Sequence, residues 1–278
     1  MVLAASFSTY IESRDRFPTV FNGDLEHAFL QIEKHAFAGI EISLASPEEI
    51  NLNQLERLLN QTKVKISAFS TDAIFEHYDG CLVCENDALR STTLERIKQI
   101  IDLASRYQAP VIIGKVSGKS YSPGILGAKR ETSYLEKSLT ELLAWASQKQ
   151  VVLLFEVLSK DEASCGNTIC DAAAIVRSFH SSFLRLTLNT CRLNQEILPV
   201  YDSLIASADV LAYVHLCDSD HMPLGKGKVE FFKIFRALDR IRYSGWLCVK
   251  SYPEPSAGAV LDAANFIVIK NAVALHCP

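Results

Sequence analysis

Four side chains of different chemistry end four hydrophobic runs in the second half of the chain: Glu156, Asn189, His215 and Lys250. A carboxylate, an amide, an imidazole and an ammonium that share one volume could accept, hold and donate protons, and the ammonium could face a developing negative charge. Each run is short and β-rich, and a helical pattern separates it from the next. The spacing therefore predicts that four successive βα units contribute one side chain each.

The elements that must position these side chains alternate along the whole chain. Strands are predicted at Val2–Ser6, Gly39–Ser43, Val64–Phe69, Val111–Gly114, Val151–Glu156, Leu184–Asn189, Val210–Leu216 and Trp246–Lys250. Helices are predicted at Asp24–His35, Glu48–Leu59, Asn86–Tyr107, Glu131–Gln148, Asp171–Phe179, Leu198–Ala206, Glu230–Ile241 and Ala257–Ala274. Eight βα units predict an α/β fold with a parallel sheet closed into a single (β/α)8 TIM barrel. We expect residues 1–278 to form one TIM-barrel domain.

Two stretches carry more specific expectations. Ser46-Pro47-Glu48-Glu49 predicts the start of the second helix, because proline is favoured in a first helical turn. The Gly- and Ser-rich segment 115–129 predicts a loop before the helix at Glu131. Strand side chains alternate between faces, so an inward Glu156 implies that Val152 and Leu154 also point inward and fill the layers beneath it.

Composition limits the partners. The formal net charge is −4 and the charges are mixed, without the basic stripe that a phosphate backbone requires, so nucleic acid is not expected. No apolar run reaches the roughly 20 residues that span a bilayer, so no membrane partner is expected and we expect a cytoplasmic location. The eight cysteines are scattered, which favours reduced thiols. A homo-oligomer stays open.

Several stretches resemble the sugar phosphate isomerase/epimerase family of xylose isomerase-like TIM barrels, which includes ketose 3-epimerases and hydroxypyruvate isomerase-like enzymes. The best of them are Phe37–Ile42, Leu153–Glu156, Val214–Asp218, Pro223–Gly227 and Tyr243–Leu247. The resemblance covers essentially the whole chain and implies a xylose isomerase-like barrel. It also implies proton transfer next to a carbonyl of a small polyhydroxylated or keto substrate.

In that family a divalent ion is held by Glu, Asp, His and Glu at the ends of barrel strands five to eight. Glu156 and His215 match two of these positions, whereas Asn189 and Lys250 stand where the family has Asp and the second Glu. An ammonium a few Å from a divalent ion repels it strongly in a medium less polarisable than water. We therefore expect no tightly bound cofactor, with Mn, Mg or Zn as the weaker alternative. We also expect Lys250 to fill the metal position, with its ammonium close to Glu156.

The resemblance also suggests substrate contacts. Glu162 matches a carboxylate that follows the strand-five Glu, Arg192 replaces a His, and His221 replaces an Arg. Asp218 fits a His-x-x-Asp pattern and is expected to orient His215. With Asn189, these residues form the predicted substrate-binding set, and a rim with Arg192, Lys226 and Lys228 suits an anionic or polyhydroxylated ligand.

Three thiols leave another alternative open. Cys191, Cys217 and Cys248 share the predicted inward side by the period of two, although Cys248 comes before its strand end and is expected one layer lower. Thiolate and imidazole are zinc ligands, but free cysteine is also a common small buried residue.

Three functions remain in competition. The first is an isomerase or epimerase without the family's metal, with Glu156 as base, Lys250 as the cation and returning acid, and His215 as hydrogen-bond donor. The second is a retired barrel that serves as a binding or structural protein. The third is a Schiff-base lyase or aldolase-like enzyme that uses Lys250, which requires a lowered lysine pKa.

Overall fold

The structure is a computed structural model, and it describes residues 2–9, 18–118, 125–195 and 199–276. Within these ranges the strands are β1 (Val2–Ser8), β2 (Phe21–Asn22), β3 (Gly39–Ser43), β4 (Lys65–Ser70), β5 (Val111–Ile113), β6 (Leu153–Glu156), β7 (Leu184–Asn189), β8 (Leu211–Leu216) and β9 (Trp246–Val249). β1 pairs with β3 and with β9, and β3 to β9 pair in chain order, all in parallel. Eight strands therefore close a barrel, as predicted, and β2 adds a short pairing at the end of β1.

The helices lie in the connections between strands, except the last one, which follows β9. They are α1 (Leu25–Lys34), α2 (Leu52–Gln61), α3 (Asp72–Tyr78), α4 (Asp87–Tyr107), α5 (Ile125–Lys149), α6 (Ile169–Ser178), α7 (Val200–Ala206), α8 (Phe231–Arg240) and α9 (Ala257–His276). Short 3₁₀ turns occupy Pro47–Glu49, Lys115–Ser117, Thr190–Gln195 and Ser219–His221. None of the helices in the described part of the chain is both long enough and apolar enough to cross a membrane.

Some helix boundaries differ from those predicted. The Pro47–Glu49 turn is separate from α2, because Asn51 provides the cap: its side chain accepts a hydrogen bond from the Gln54 amide. α5 begins at Ile125, six residues before Glu131. Residues 119–124 of the predicted loop, and Leu198 at the predicted start of α7, lie outside the described residues. The short helix α3 was not predicted.

The barrel interior has an apolar floor beneath a polar mouth. Its buried floor consists of Ala4, Ala68, Ile112, Leu154, Tyr213 and Cys248. Leu154 belongs to the floor and Val152 packs against it, as the alternation of β6 predicts. A separate and larger apolar core fills the space between the strands and the helices. The polar side chains above the floor therefore sit in a low-dielectric surrounding, where unpaired charge is costly.

Candidate active site

His215, at the end of β8, lies between two carboxylates. Its Nδ1 is 3.2 Å from Oε1 of Glu156, and its Nε2 is 2.7 Å from Oε2 of Glu41. The ring and both carboxylates are at least 98% buried. A carboxylate oxygen only accepts, so the imidazole must carry a proton on each nitrogen to satisfy both partners. The geometry therefore defines an imidazolium held by two acids.

The ammonium of Lys250 is paired with two acids as well. Its Nζ is 2.9 Å from Oδ2 of Asp72 and 3.6 Å from Oε1 of Glu41. Asp72 begins α3 directly after β4, and Glu41 lies within β3, so these partners come from the first half of the chain. Glu41 thus bridges the two buried cations. The cluster of Glu41, Asp72, Glu156, His215 and Lys250 is called the ion cluster below.

Mutual attraction keeps every member of the ion cluster charged. Burial opposes ionisation, but Lys250 and His215 lower the pKa of Glu41 to about 2 and hold the pKa of Glu156 below its usual value. Burial also favours the neutral form of Asp72, but the charge of Lys250 outweighs this effect and lowers the Asp72 pKa. Burial lowers the pKa of His215, but the charges of Glu41 and Glu156 outweigh it and raise the pKa. The charges of Asp72, Glu41 and Glu156 likewise outweigh burial and raise the pKa of Lys250.

A glycine makes room for two of the acids. A Cβ on Gly114, directly after β5, would collide with the Asp72 carboxylate and lie 2.7 Å from Oε2 of Glu156. The bare backbone at this position lets the two carboxylates come close together on either side of β5. The pairing of β3 with β4 also shifts register between Ile40 and Glu41. Such irregularities are frequent beside active sites, where they re-aim a side chain.

Arg192 connects the ion cluster to the rim. Its guanidinium binds Glu162 with two hydrogen bonds, of 2.7 Å and 2.5 Å, and its Nη1 is 3.4 Å from Oε1 of Glu156. Ser159 supports Glu162 through its amide and hydroxyl. Burial opposes the shift, yet Arg192 lowers the pKa of Glu162 to about 2. The side chain of Glu162 keeps 26% exposure and that of Arg192 11%, so this pair faces outward while the ion cluster does not.

A second polar group lies beside the first, at the ends of β7 and β8. Cys191 Sγ is 3.6 Å from Nδ1 of His221, and Cys217 Sγ is 3.7 Å from the same nitrogen. Asn189 accepts a hydrogen bond from the Cys217 thiol at 2.8 Å. The neighbouring Cys217 and His221 lower the pKa of Cys191 against the effect of burial, while burial raises the pKa of Cys217. We call Cys191, Cys217 and His221 the thiol cluster.

The structure thus distributes the predicted site residues over two groups. Glu156, His215, Lys250, Arg192 and Glu162 belong to or contact the ion cluster, and Asn189 and His221 belong to or contact the thiol cluster. Cys248 lies in the barrel floor rather than with the other two thiols.

Asp218 does not make the contact with His215 that was predicted for it. Its carboxylate accepts hydrogen bonds from the amides of Ser219, Gly225 and Val229. The expectation that Asp218 orients His215 is wrong, because both ring nitrogens face Glu41 and Glu156. Asp218 instead fixes the loop after β8.

The expected surroundings of Lys250 were incomplete. Glu156 is close enough to raise the pKa of Lys250, as expected, but Asp72 and Glu41 also form ion pairs with its ammonium. Glu156 pairs with His215 and Arg192 as well. Glu156 is therefore not the lone acid of the site. Two signals in the sequence could have revealed the missing acids: Glu41 interrupts the apolar strand Gly-Ile-Glu-Ile-Ser, and Asp72 follows the end of β4. Both positions open onto the same end of the barrel as Glu156.

Comparisons with known proteins agree with this architecture. An L-ribulose 3-epimerase of Methylomonas sp. (strain DH-1) is 26% identical over 217 residues, which cover 77% of this chain and 73% of that protein. The crystal structure of a D-allulose 3-epimerase from Methylomonas sp. superimposes with a TM-score of 0.81 at 18% identity, covering 98% of both chains. That of a 3-keto-D-glucoside 4-epimerase from E. coli gives 0.80 at 18% identity, covering 97% of this chain and 99% of that one.

A family model described as "Xylose isomerase-like TIM barrel" matches residues 29–268. The match spans most of the chain and includes both clusters. The chain therefore belongs to the xylose isomerase-like TIM barrel family.

Proposed function

We propose that this barrel moves a proton on a carbon next to the carbonyl of a sugar or sugar phosphate, and that side-chain cations replace the family's divalent ion. The relatives named above are an L-ribulose 3-epimerase, a D-allulose 3-epimerase and a 3-keto-D-glucoside 4-epimerase. Each name describes inversion at a carbon beside a carbonyl, where removal of the proton gives an enediolate. The substrate class and the reaction type of the proposal come from this shared chemistry.

One observation carries the metal-free part of the proposal: the Lys250 ammonium lies among buried acids at a family ligand position. At the family's ligand positions an amide and an ammonium stand in for two carboxylates, which does not fit a hard divalent ion. The nearby carboxylates of Glu41 and Asp72 are already paired with Lys250 and His215. Nor does His215 offer a free lone pair, since both of its nitrogens point at carboxylate oxygens. Lys250 and His215 together carry two positive charges, as many as the ion they replace.

The proposed chemistry assigns a role to each group. Glu156 is the base, and its lowered pKa keeps it deprotonated at neutral pH at some cost in basicity. Lys250 supplies an N–H donor to the enediolate oxygen, Lys250 and His215 together supply positive charge, and a preorganised charge costs no reorganisation during the reaction. Arg192 and Glu162, on the more exposed side, bind substrate hydroxyl or phosphate groups. Lys250 is the acid that returns the proton.

A Schiff base at Lys250 fits the surroundings poorly. A nucleophilic amine must be deprotonated, which requires a lowered pKa. The three carboxylates raise the pKa of Lys250 despite its burial. The paired ammonium therefore suits electrostatic stabilisation better than covalent catalysis.

The burial of the ion cluster supports a second candidate, a binding or structural barrel in which the ion pairs plug the mouth. Every member is at most 3% exposed and has an oppositely charged partner. Thermal-shift measurements with ketoses, sugar phosphates and keto acids, after treatment with a chelator, separate the candidates. Stabilisation by one class supports a working pocket, and indifference to all of them supports the structural role.

Solvent isotope exchange tests the reaction directly. Chelator-treated protein is incubated in D₂O with 2-ketoses, their phosphates and 3-ketoglucosides, and proton NMR follows the hydrogen beside the carbonyl. Exchange is expected for one substrate class and should fall at least about 100-fold in Glu156→Gln and Lys250→Met, as for loss of an acid–base group. Lys233→Met on the exposed face of α8 is the matched control. Exchange that appears only after addition of Mn²⁺ or Mg²⁺ would overturn the metal-free mechanism.

A further inference from the structure

We propose that Cys191, Cys217 and His221 form a binding site for a soft divalent cation of the zinc type, distinct from the family's metal position. The three residues come from the 3₁₀ turn after β7, the residue after β8 and the 3₁₀ turn Ser219–His221. Their ligand atoms all lie within 4.8 Å of one another, and no other group of at least three such side chains in the described ranges meets this condition.

Two of the sulfur–nitrogen distances are close to those of a tetrahedral zinc site. Zn–S bonds of about 2.3 Å and Zn–N bonds of about 2.0–2.1 Å, at a tetrahedral angle, place sulfur and nitrogen about 3.6 Å apart. The two sulfur distances to Nδ1 of His221 are 3.6 Å and 3.7 Å. Cys191 Sγ is also 3.8 Å from Nε2 of the same ring, so the imidazole would have to turn until its Nδ1 lone pair points between the two sulfurs.

The chemistry of the donors selects a soft ion. Two thiolates and one imidazole suit Zn²⁺, whereas Mg²⁺ and Mn²⁺ prefer oxygen ligands. Three protein ligands leave a fourth position for water or a substrate oxygen, as in catalytic zinc sites. The positive charge of the neighbouring Arg192 is offset by the carboxylate of Glu162, to which Arg192 donates two hydrogen bonds.

Two further features accompany the cluster. Asn189 is 1% exposed, and its Nδ2 has no hydrogen-bond partner among the described residues, which leaves a buried donor beside Cys217 for an oxygen bound to the ion. Asp220 and His221 both have a φ of 56°, in the left-handed region that residues other than glycine seldom adopt. The turn thus holds His221 in a conformation that its own backbone does not favour.

Spectroscopy with Co²⁺ tests the site without any assay of activity. Protein that has been reduced and stripped with a chelator is titrated with Co²⁺ and then with Zn²⁺. We expect one equivalent of Co²⁺ to give thiolate-to-cobalt charge-transfer bands and the visible absorption of a tetrahedral ion. Zn²⁺ should bleach both, because it binds such ligands more tightly.

Substitutions locate the ion. Cys191→Ser and His221→Gln, both at partly exposed positions, should each weaken Co²⁺ binding at least about 100-fold, more than loss of a supporting contact does. Cys84→Ser is the matched control, because Cys84 lies close to another cysteine of the described ranges, Cys81. Glu156→Gln, at the family's metal position, should leave the bands unchanged.

Three outcomes would overturn the proposal. They are the absence of charge-transfer bands in the reduced protein, bands that survive Cys191→Ser but vanish in Cys84→Ser, and bands that vanish in Glu156→Gln. None of them bears on proton exchange in chelator-treated protein, so the cation site and the proposed reaction stand or fall separately.

Discussion

Two histidines at the same end of the barrel have opposite surroundings. His215 is fully buried between Glu41 and Glu156, and both of its nitrogens are occupied by carboxylates. His221 lies partly exposed on a strained turn, and its Nδ1 is 3.6 Å from Sγ of Cys191 and 3.7 Å from Sγ of Cys217. The first ring is therefore a cation in its own right, and the second is placed to bind one.

The contrast shows that the chemistry of a strand end depends on what faces it. His215 and Lys250 belong to a network of side-chain ions, and two thiols lie beside it with His221. Every carboxylate of the ion cluster already has a cationic partner, so an added cation would have to displace one of them. The thiol cluster provides sulfur and nitrogen ligand atoms that are not matched by a cation. The experiments below test this contrast, beginning with the largest expected effect.

Removal of the Lys250 ammonium should be the most damaging change. Lys250→Met leaves Glu41, Asp72 and Glu156 buried against a single cation, and breaking a buried ion pair from one side costs about 3–5 kcal/mol. Denaturant unfolding measures the loss. The double substitution Asp72→Asn/Lys250→Met removes one acid with the lysine and should recover part of the stability. Equal stability of the two variants would show that Asp72 and Lys250 are not coupled.

Crowding of the acids at β5 should have the next largest effect. In Gly114→Ala the new methyl group meets the carboxylates of Asp72 and Glu156, and we expect a loss of about 1–3 kcal/mol from overpacking. Gly258→Ala is the matched control in α9, where the nearest atom to the added carbon is 3.4 Å away. That change should stabilise by up to about 1 kcal/mol through helix propensity. A tolerated Gly114→Ala would contradict the close approach of the two acids.

Replacement of the Arg192 fork should act on Glu162 specifically. Arg192→Lys keeps the charge but cannot reproduce the two parallel hydrogen bonds. We expect the pKa of Glu162 to rise from about 2 toward its ordinary value. A rise of one unit corresponds to about 1.4 kcal/mol. Carboxyl ¹³C NMR during an acid titration measures it, with Arg57→Lys in the exposed pair with Glu26 as the control. An unchanged Glu162 pKa would count against the fork.

The smallest effect should be a pH dependence from His215. Its folded pKa is raised, so its stabilisation is fully present below about 6.5, the unfolded value. It is lost as the pH rises through the folded pKa. The free energy of unfolding should fall there, with a slope of at most about 1.4 kcal/mol per pH unit. Denaturant unfolding between about pH 6 and 9 should show this slope, and His215→Gln should flatten it.

An exposed histidine provides the control for that titration. His27→Gln on α1 should leave the slope as it is in the unaltered protein. A slope that persists in His215→Gln would assign the effect to another group. The acids of the ion cluster have lowered pKa values, so their stabilisation is present above about pH 4.5 and is lost on acidification.

Hydrophobic patterning was enough to predict the barrel and the polar residues that end its strands. Hydrophobic runs separated by helical patterns fix the parallel barrel, and the period of two along β6 puts Leu154 beneath Glu156. The same reasoning selected Glu156, Asn189, His215 and Lys250, because the carboxyl ends of parallel barrel strands meet at one mouth and polar side chains there face a common volume.

Which charged side chains pair with one another depends on the folded barrel. Lys250 pairs with Asp72 and His215 with Glu41, partners that are 178 and 174 positions away along the chain. The alternation of strand side chains predicts which of them face the barrel interior. Barrel closure and strand stagger then set the level of each side chain along the barrel axis and the residue it meets across the interior. A register shift at Glu41 and a left-handed turn at His221 then fixed the two clusters, and neither has a periodic signal in the sequence.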